Sequence, residues 1–413
     1  MVKYVGIRDD KVVTVSNSPF QSNGMKVVQS TLDNPIEVSN RESVSKPLNE
    51  MKVAFVGNWK MICGISTYSE KLWPRVADHL GQVRLFVERN DSPTGPMNQL
   101  GSRTLTDADV VQCWKRGEPL VDLVKAIKEF DADIVFIQHE FGLWPNARYW
   151  MSFLNQMGSR RVVVTMHSVF HHRDKTICEA IIPEIVVHLD GAKKVLCEEK
   201  KISGKVTVIP HGCEPCLDKT KLWNLYRSPR TFIQAGFGFH YKGWETSLKA
   251  TAILQKKYSD VFFTGIFSES PFNKTLHEVY YQDLMKLTSE LGIQENVAII
   301  RGFQSDEVLD SFFRTNQVAV FPYISTEQHE VFGASGAARV AMSKGIPVVT
   351  SRVNHFSDLP TVKVSDEIEL ADKLEDLFND WKVKKNQIDA QMKFIEQNSW
   401  EAVALKYLEL FEK

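Results

Sequence analysis

The sequence has no long apolar run and almost no net charge. No stretch approaches the ~18 apolar residues that a membrane span needs, and the first residues lack the apolar segment of a secretion signal. The sequence has 50 Lys and Arg residues and 51 Asp and Glu residues, which gives a formal net charge of −1. This balance creates no global field toward nucleic acid or an anionic membrane. These absences predict a cytoplasmic protein, either soluble or peripheral to a membrane, with no transmembrane segment.

Cysteine is sparse. Six cysteines are scattered over 413 residues, which indicates reduced thiols rather than a disulfide scaffold. Cys213 and Cys216 have C-x-x-C spacing, but no second pair of Cys or His stands at the spacing of a zinc site. We therefore predict no metal site. A redox role for this pair is a minor alternative, because the motif needs its structural context.

The length and the residue pattern predict two α/β domains. A chain of this length is too long for one ordinary core, and apolar runs alternate with helical patterns, as in parallel sheets covered on both faces. The predicted strands are Lys52–Gly57, Gln82–Val87, Asp133–Gln138, Arg161–Met166, Lys193–Cys197, Lys205–Ile209, Thr231–Ala235, Val261–Ile266, Val297–Arg301, Val318–Phe321 and Pro347–Thr350. The predicted helices are Ser66–Leu80, Trp244–Lys257, Thr275–Leu291, Asp306–Arg314, Gly333–Lys344, Ile368–Phe378 and Trp400–Phe411.

Four segments follow from this pattern. Residues 1–50 are an N-terminal extension and linker, in which Val2–Val15 predicts a small hairpin with a polar turn at Arg8–Asp10. Residues 51–215 and 216–398 are two doubly wound, Rossmann-like domains that face each other across a cleft. Residues 399–413 are a C-terminal helix that we expect to cross back to the first domain. Ligands of such sheets bind outside the carboxyl ends of the strands.

Two loops predict anion binding at that cleft. Gly64 and Ile65 lie in the loop after the first strand, where glycine lets the backbone approach a ligand. Gly236 and Phe237 come just after the first strand of the second domain, and Lys242 follows just before a helix. A lysine beside a helix N-terminus suits a diphosphate. Each feature alone also fits a plain loop or a surface lysine.

A third segment joins a strand to a helix in the second domain. It contains Tyr323, two carboxylates and a glycine-rich helix start whose N–H groups could hold phosphate oxygens. Glu327 or Glu330 could accept hydrogen bonds from sugar or ribose hydroxyls. Ser335 could equally be an ordinary N-cap. In the first domain, His167 ends a strand and should face the cleft.

Together these pieces resemble the large retaining GT-B family that contains glycogen-synthase-like and bacterial sugar transferases. The resemblance covers about Lys52 to Phe411. The matching pieces are Gly64-Ile65, with Cys63 in place of a first glycine, His167, Ile209-Pro210-His211-Gly212, Lys242-Gly243, Arg301-Gly302-Phe303 and Ala341-Met342-Ser343-Lys344-Gly345-Ile346-Pro347-Val348-Val349.

The resemblance implies a donor site and its roles. It implies a nucleoside-diphosphate sugar as co-substrate, retention of anomeric configuration and no bound cofactor or obligatory metal. The implied catalytic residues are His167, Lys242 and Glu327. The implied donor-binding residues are Gly64, Ile65, His211, Gly236, Phe237, Lys242, Arg301, Tyr323, Glu330, Phe332, Gly333, Ser335, Gly336 and Arg339.

The sequence departs from the family in two places. The second of two glutamates, counted back from Ala341-Met342, falls on Val340, so its usual ribose contact must be made otherwise or not at all. The arginine that precedes the Lys-Gly pair is also absent, and Arg339 or Arg301 could supply that charge. The acceptor is open: a glycan or lipid-linked precursor is the default, and a modified DNA base is a lesser alternative. A nucleotide-sugar epimerase or hydrolase, and a non-catalytic sugar-nucleotide binder, remain rival functions.

Overall fold

The computed structural model describes residues 7–8, 11–12, 46–89, 105–172, 184–202, 204–216, 229–271, 273–325 and 330–413. The chain divides into two compact units, Met1–Val44 and Ser45–Lys413. In the first unit, β1 (Ile7–Arg8) pairs antiparallel with β2 (Lys11–Val12). This is the hairpin expected there, except that Arg8 belongs to a strand rather than to the turn. The break expected near Pro215–Pro229 lies largely outside the described residues.

The first domain of the large unit is built on a seven-stranded parallel sheet with the strand order β10-β9-β7-β6-β3-β4-β5. Its strands are β3 (Lys52–Gly57), β4 (Gln82–Glu88), β5 (Val110–Trp114), β6 (Ile134–His139), β7 (Arg161–Met166), β9 (Glu184–Val187) and β10 (Lys205–Val208). Its helices are α1 (Gly64–Ala77), α2 (Val121–Phe130), α3 (Ala147–Asn155) and α4 (Asp190–Lys194). The short β8 (Val169–Phe170) lies outside this sheet.

The second domain is built on a six-stranded parallel sheet with the strand order β13-β12-β11-β14-β16-β17. Its strands are β11 (Thr231–Phe237), β12 (Phe262–Ser268), β13 (Val297–Arg301), β14 (Val318–Phe321), β16 (Val348–Ser351) and β17 (Val362–Val364). β15 (Val331–Phe332) pairs antiparallel with β8 of the first domain. The helices are α5 (Trp244–Gln255), α6 (Lys274–Glu290), α7 (Asp306–Thr315), α8 (Gly336–Ser343), α9 (Glu367–Asn379), α10 (Trp381–Gln397) and α11 (Trp400–Phe411).

Each sheet has a hydrophobic core on both faces, because successive side chains of a strand point to opposite sides. In β3, Val53 and Phe55 join one cluster while Ala54 and Val56 join the other. Both faces are buried, so the strand reads as a continuous apolar run rather than an alternating one. These two layered sheets confirm the predicted α/β class.

The last helix, α11, packs on the first domain although it follows the second in sequence. Trp400 and Tyr407 lie in the same core cluster as Phe55 and Tyr68. Arg161 donates hydrogen bonds to the last carbonyls of the helix, at 2.7 Å to Phe411 and 2.6 Å to Leu410. A guanidinium at this position satisfies carbonyls that the helix itself leaves unpaired.

Some local predictions were wrong or incomplete. The strand expected at Lys193–Cys197 is helical: α4 continues into a turn over Val195–Glu199, because Ala192, Val195 and Leu196 place their side chains on one buried helix face. The neighbouring strand is instead β9, which was missed together with β5, β17 and α10. The helix expected from Gly333 begins at Gly336.

Within the described part of the chain, no helix is long and apolar enough to cross a membrane.

Candidate functional site

Lys242 lies where β11 turns into α5. Its ammonium donates a hydrogen bond to the Tyr323 hydroxyl at 2.6 Å and stands 3.9 Å from the centre of that ring. Gly243 closes the turn with φ 68°, and a Cβ there would lie 1.9 Å from the Pro322 carbonyl oxygen. Burial lowers the pKa of Lys242 through desolvation. An ammonium held where desolvation disfavours it is suited to an incoming anion, which would stabilise the charged form again.

The N-terminus of α8 belongs to the same group. The Tyr323 hydroxyl that receives Lys242 also lies 3.1 Å from Ser335 Oγ. Ser335 is the N-cap of the helix, and its Oγ accepts the Ala338 N–H at 3.4 Å. One tyrosine therefore joins the lysine to a helix start, where unpaired N–H groups and the helix dipole favour negative charge.

Arg339 supports this helix start from inside the protein. Its side chain is 1% exposed and donates to the Ser335 carbonyl oxygen at 3.0 Å. The rest of its charge is paired with Asp358. The polar contacts of Arg339 are thus with the Ser335 backbone and Asp358, which makes it a buried support for the N-cap residue.

Arg301 is held by carboxylates outside this group. Its guanidinium contacts Glu269 and Glu278, each at 2.6 Å, and lies 4.5 Å from the centre of the Tyr281 ring. These hydrogen bonds raise the pKa of Arg301. Its charge is thus already balanced, and the structure does not bring it together with Lys242.

Aromatic rings surround the end of β11. The Phe237 ring lies 6.3 Å from that of Phe239 and 6.4 Å from that of Phe303, between ring centres. Gly236 has φ 151°, and a Cβ there would meet nothing within 4 Å. The strand end therefore offers open space beside apolar rings, a surface on which a nucleobase could stack.

On the first domain, the loop after β3 leads into α1. Cys63 is the N-cap of that helix, and its Sγ accepts the Ser66 N–H at 3.3 Å. Gly64 is the first helical residue, and a Cβ there would meet nothing within 4 Å. Ile65 is half-buried against the core. The loop therefore presents a bare helix start with free space above Gly64.

The His167 ring is engaged at both nitrogens. Nε2 lies 2.8 Å from the Gln138 amide and Nδ1 lies 3.4 Å from His188 Nε2. His188 Nδ1 in turn donates to the Ile209 carbonyl oxygen at 2.9 Å. Burial lowers the pKa of His188 to about 4 and that of His167 well below its usual value, so both rings are neutral.

Neutral rings fix where each proton lies. His167 Nε2 faces the Gln138 amide oxygen, so it carries the ring proton and donates to that oxygen. His188 keeps its proton on Nδ1 for the Ile209 carbonyl oxygen, so the two nitrogens that face each other, His188 Nε2 and His167 Nδ1, are both unprotonated and only in contact. The polar contacts of the His167 ring in the structure are with Gln138 and His188, and its catalytic role stays a prediction.

His211 faces the second domain from the end of the first. Its Nδ1 donates to the Gly212 carbonyl oxygen at 2.8 Å, and a Cβ on Gly336 would lie 3.5 Å from its Nε2. Burial lowers the pKa of His211 well below its usual value. Gly212 itself cannot carry a side chain, because a Cβ would lie 2.2 Å from the Trp400 ring. His211 therefore stands neutral beside the start of α8.

The remaining candidates lie where the two domains touch. Glu330 accepts hydrogen bonds from His171 Nε2 at 3.0 Å and from Asn354 Nδ2 at 2.5 Å. Phe332 and Gly333 follow it and contact the first domain, described below. Glu327 lies outside the described residues.

Sequence reasoning missed the partners that hold these residues. His188 went unnoticed because β9 was not predicted, although the run Ile185-Val186-Val187 before it carries a strand signal. Gln138 did stand at a predicted strand end. Among the described residues, no three His, Cys, Asp or Glu side chains are placed to hold a metal ion.

Residues 219–394 match the family model described as glycosyl transferases group 1. A comparison with curated protein sequences gives no match.

Solved structures with the same fold cover most of the chain. Sucrose-phosphate synthase from Thermosynechococcus elongatus has a TM-score of 0.68 at 16% identity, over 88% of this chain and 98% of that one. A UDP-forming α,α-trehalose-phosphate synthase from Burkholderia xenovorans, in complex with glucose-6-phosphate, has a TM-score of 0.67 at 11% identity, over 88% and 100%. HepE from Anabaena, in complex with UDP, has a TM-score of 0.65 at 11% identity, over 87% and 99%.

The family match covers the part of the chain that contains Lys242, Tyr323 and Ser335, and the likeness in fold extends over both domains. The chain is a glycosyltransferase of the GT-B fold, with a group 1 glycosyl transferase domain at residues 219–394.

Proposed function

We propose that the protein transfers a sugar from a nucleoside-diphosphate sugar to a hydroxyl of a saccharide acceptor, with retention of configuration and without an obligatory metal. The observation that carries the donor assignment is the joined group of Lys242, Tyr323 and the N-terminus of α8. A lysine ammonium and free helix N–H groups around one point are the donors that a diphosphate requires. Retention and metal independence rest on the family resemblance.

In the proposed reaction the bond between the anomeric carbon and the diphosphate breaks, a bond to the acceptor hydroxyl oxygen forms, and the hydroxyl proton passes to the departing diphosphate. The diphosphate gathers negative charge in the transition state. Lys242 and the first N–H groups of α8 stabilise that charge in a position fixed before the reaction begins. The nucleobase stacks beside Phe237 and Phe303, and the sugar lies toward Gly64 of the first domain. Glu330, or Glu327, orients the sugar hydroxyls.

The acceptor is proposed as a saccharide from its chemistry and from the neighbours. Two of the neighbours named above are synthases of sugar phosphates, and one was solved with glucose-6-phosphate. A glycan or lipid-linked sugar offers the same kind of hydroxyl nucleophile. We propose the cytoplasm as the compartment, on the sparse and scattered cysteines.

The donor is identified by thermal stabilisation with UDP-, GDP-, ADP- and CMP-linked sugars. A ligand at 100 times its Kd stabilises a protein by about 2.7 kcal/mol, which raises the melting temperature visibly. We expect one nucleotide class to do so in the wild type and not in Lys242→Met. Release of nucleoside diphosphate without an acceptor would indicate a hydrolase. A shift that survives Lys242→Met, or none with any donor, would contradict the donor site as proposed.

Gly64→Ala tests whether the donor approaches the first domain. A Cβ at Gly64 meets nothing within 4 Å, and alanine is a better helix former than glycine. We therefore expect an unchanged or slightly higher melting temperature. A sugar packed on this loop would collide with the added methyl, at about 1–3 kcal/mol, so KM for the donor should rise roughly tenfold. Unchanged kinetics in a stable variant would place the sugar elsewhere.

A further inference from the structure

A four-residue segment of the second domain, Glu330–Gly333, is docked on the first domain. Its middle residues form β15, which pairs with β8 through Val331 opposite Phe170 and Phe332 opposite Val169. The segment leads within two residues to Ser335, the N-cap of α8. The backbone that forms the proposed phosphate site is therefore attached to the opposite side of the cleft.

At two close contacts between the domains, the residue is a glycine because a larger side chain would not fit. A Cβ on Gly191 would lie 2.8 Å from the Phe332 ring, so the glycine leaves the space that the ring occupies. A Cβ on Gly333 would lie 2.8 Å from the His167 carbonyl oxygen. Glycine stands on each domain where the backbone must come close to the other.

His171 bridges the start of the segment to the first domain. Its Nδ1 lies 2.7 Å from Glu199 Oε2 and its Nε2 lies 3.0 Å from Glu330 Oε2. Ionised carboxylates only accept hydrogen bonds, so both ring nitrogens must donate, and only the imidazolium has two N–H groups. The hydrogen bond that His171 donates to Glu199, and after it the one that it donates to Glu330, raises the pKa of His171 against partial desolvation.

Other charged groups around this bridge are few among the described residues. Lys200 donates to the His171 backbone carbonyl oxygen. Asn354, which donates to the second oxygen of Glu330, is uncharged. Its neighbour His355 is kept neutral because burial lowers its pKa to about 3. The two carboxylates are therefore the opposite charges that face the imidazolium in this part of the structure.

We infer that His171 is a positioning residue that, as an imidazolium, clasps Glu330–Gly333 to the first domain, and that the clasp loosens when the ring loses its proton. Deprotonation removes one of two donors, so only one carboxylate can still be bound. The clasp is complete at low pH and is lost as pH rises through the raised pKa of His171. Its consequence for donor binding rests on the proposed function.

The clasp is tested without any donor, by hydrogen exchange of peptides containing Val331 and Phe332, corrected for the intrinsic pH dependence of exchange. At about pH 6, where an ordinary histidine is charged, we expect His171→Ala to lose protection about fivefold, a size typical of a partly exposed ion pair. His171→Arg keeps a charged, forked donor at all pH values, so its protection should persist as the pH is raised, whereas protection in the wild type should fall.

Two controls separate a clasp from general destabilisation. His79→Ala removes an exposed histidine of the same domain and should leave these peptides unchanged. Peptides from β3 and β11 report the two cores and should exchange alike in all variants. Equal protection in the wild type and His171→Ala at about pH 6, or a loss of protection at high pH that persists in His171→Arg, would overturn the inference. The proposed donor site is untouched by either result.

Discussion

Lys242→Met is expected to lower kcat/KM for sugar transfer by about 10²–10³-fold while the protein stays folded. Removing one preorganised donor from a developing negative charge has an effect of this size. Methionine keeps the apolar stem that packs against the Tyr323 ring, and it removes an ammonium whose charge burial disfavours. The melting temperature should therefore stay the same or rise. The measurement is the rate of nucleoside diphosphate release from the donor found by thermal stabilisation, in the presence of a saccharide acceptor.

Two further variants make this result specific. Tyr323→Phe removes the hydroxyl that receives one N–H of Lys242 and leaves the charge, so we expect a smaller loss than in Lys242→Met. Lys249→Met removes an exposed lysine of α5 whose Nζ lies 3.6 Å from Glu367 Oε1. This substitution should not change the rate of nucleoside diphosphate release. Equal rates in Lys242→Met and Lys249→Met would show that Lys242 does not contribute to the donor site.

Much of the fold could be predicted because buried parallel strands are continuous apolar runs. Lys52–Gly57, Arg161–Met166 and Val318–Phe321 coincide with the observed strands. The error at Lys193–Cys197 has the same origin: a short apolar run fits a strand or a buried helix face equally. The helix α10 was missed because most of its residues are charged or polar, so that the apolar positions Ile388 and Ile395 give only a weak helical pattern.

The candidate site could be predicted in part, because strand ends meet at one edge of a sheet. Lys242 and Tyr323 are far apart in sequence but follow β11 and β14, which are neighbours. Partners of the charged side chains could not be predicted. Nothing in the sequence shows that Arg301 meets two glutamates or that Arg339 meets Asp358. Such pairs decide whether an arginine is available to a ligand, and they depend on packing between segments.

Gly243→Ala is expected to destabilise the protein by about 2–5 kcal/mol. Gly243 has φ 68°, a conformation that costs an L-residue about 1–2 kcal/mol. Its Cβ would also lie 1.9 Å from the Pro322 carbonyl oxygen, and relieving such an overlap costs about 1–3 kcal/mol. Pro322 directly follows the buried strand β14, so its backbone has little freedom to move away. Urea unfolding gives the change in free energy from the midpoint and slope.

Gly292→Ala is the matched control, and the difference between the two variants isolates the overlap. Gly292 has φ 67°, but its Cβ would meet nothing within 4 Å, so only the conformational term of about 1–2 kcal/mol remains. Relief of the overlap at position 243 must shift the turn that carries Lys242, so Gly243→Ala should also lose donor-induced stabilisation, which Gly292→Ala keeps. Equal losses of stability in both variants would mean that the Pro322 carbonyl moves away from the added Cβ without a loss in the free energy of unfolding. If donor binding were then also intact, the close approach of this turn to Pro322 would not be what positions Lys242.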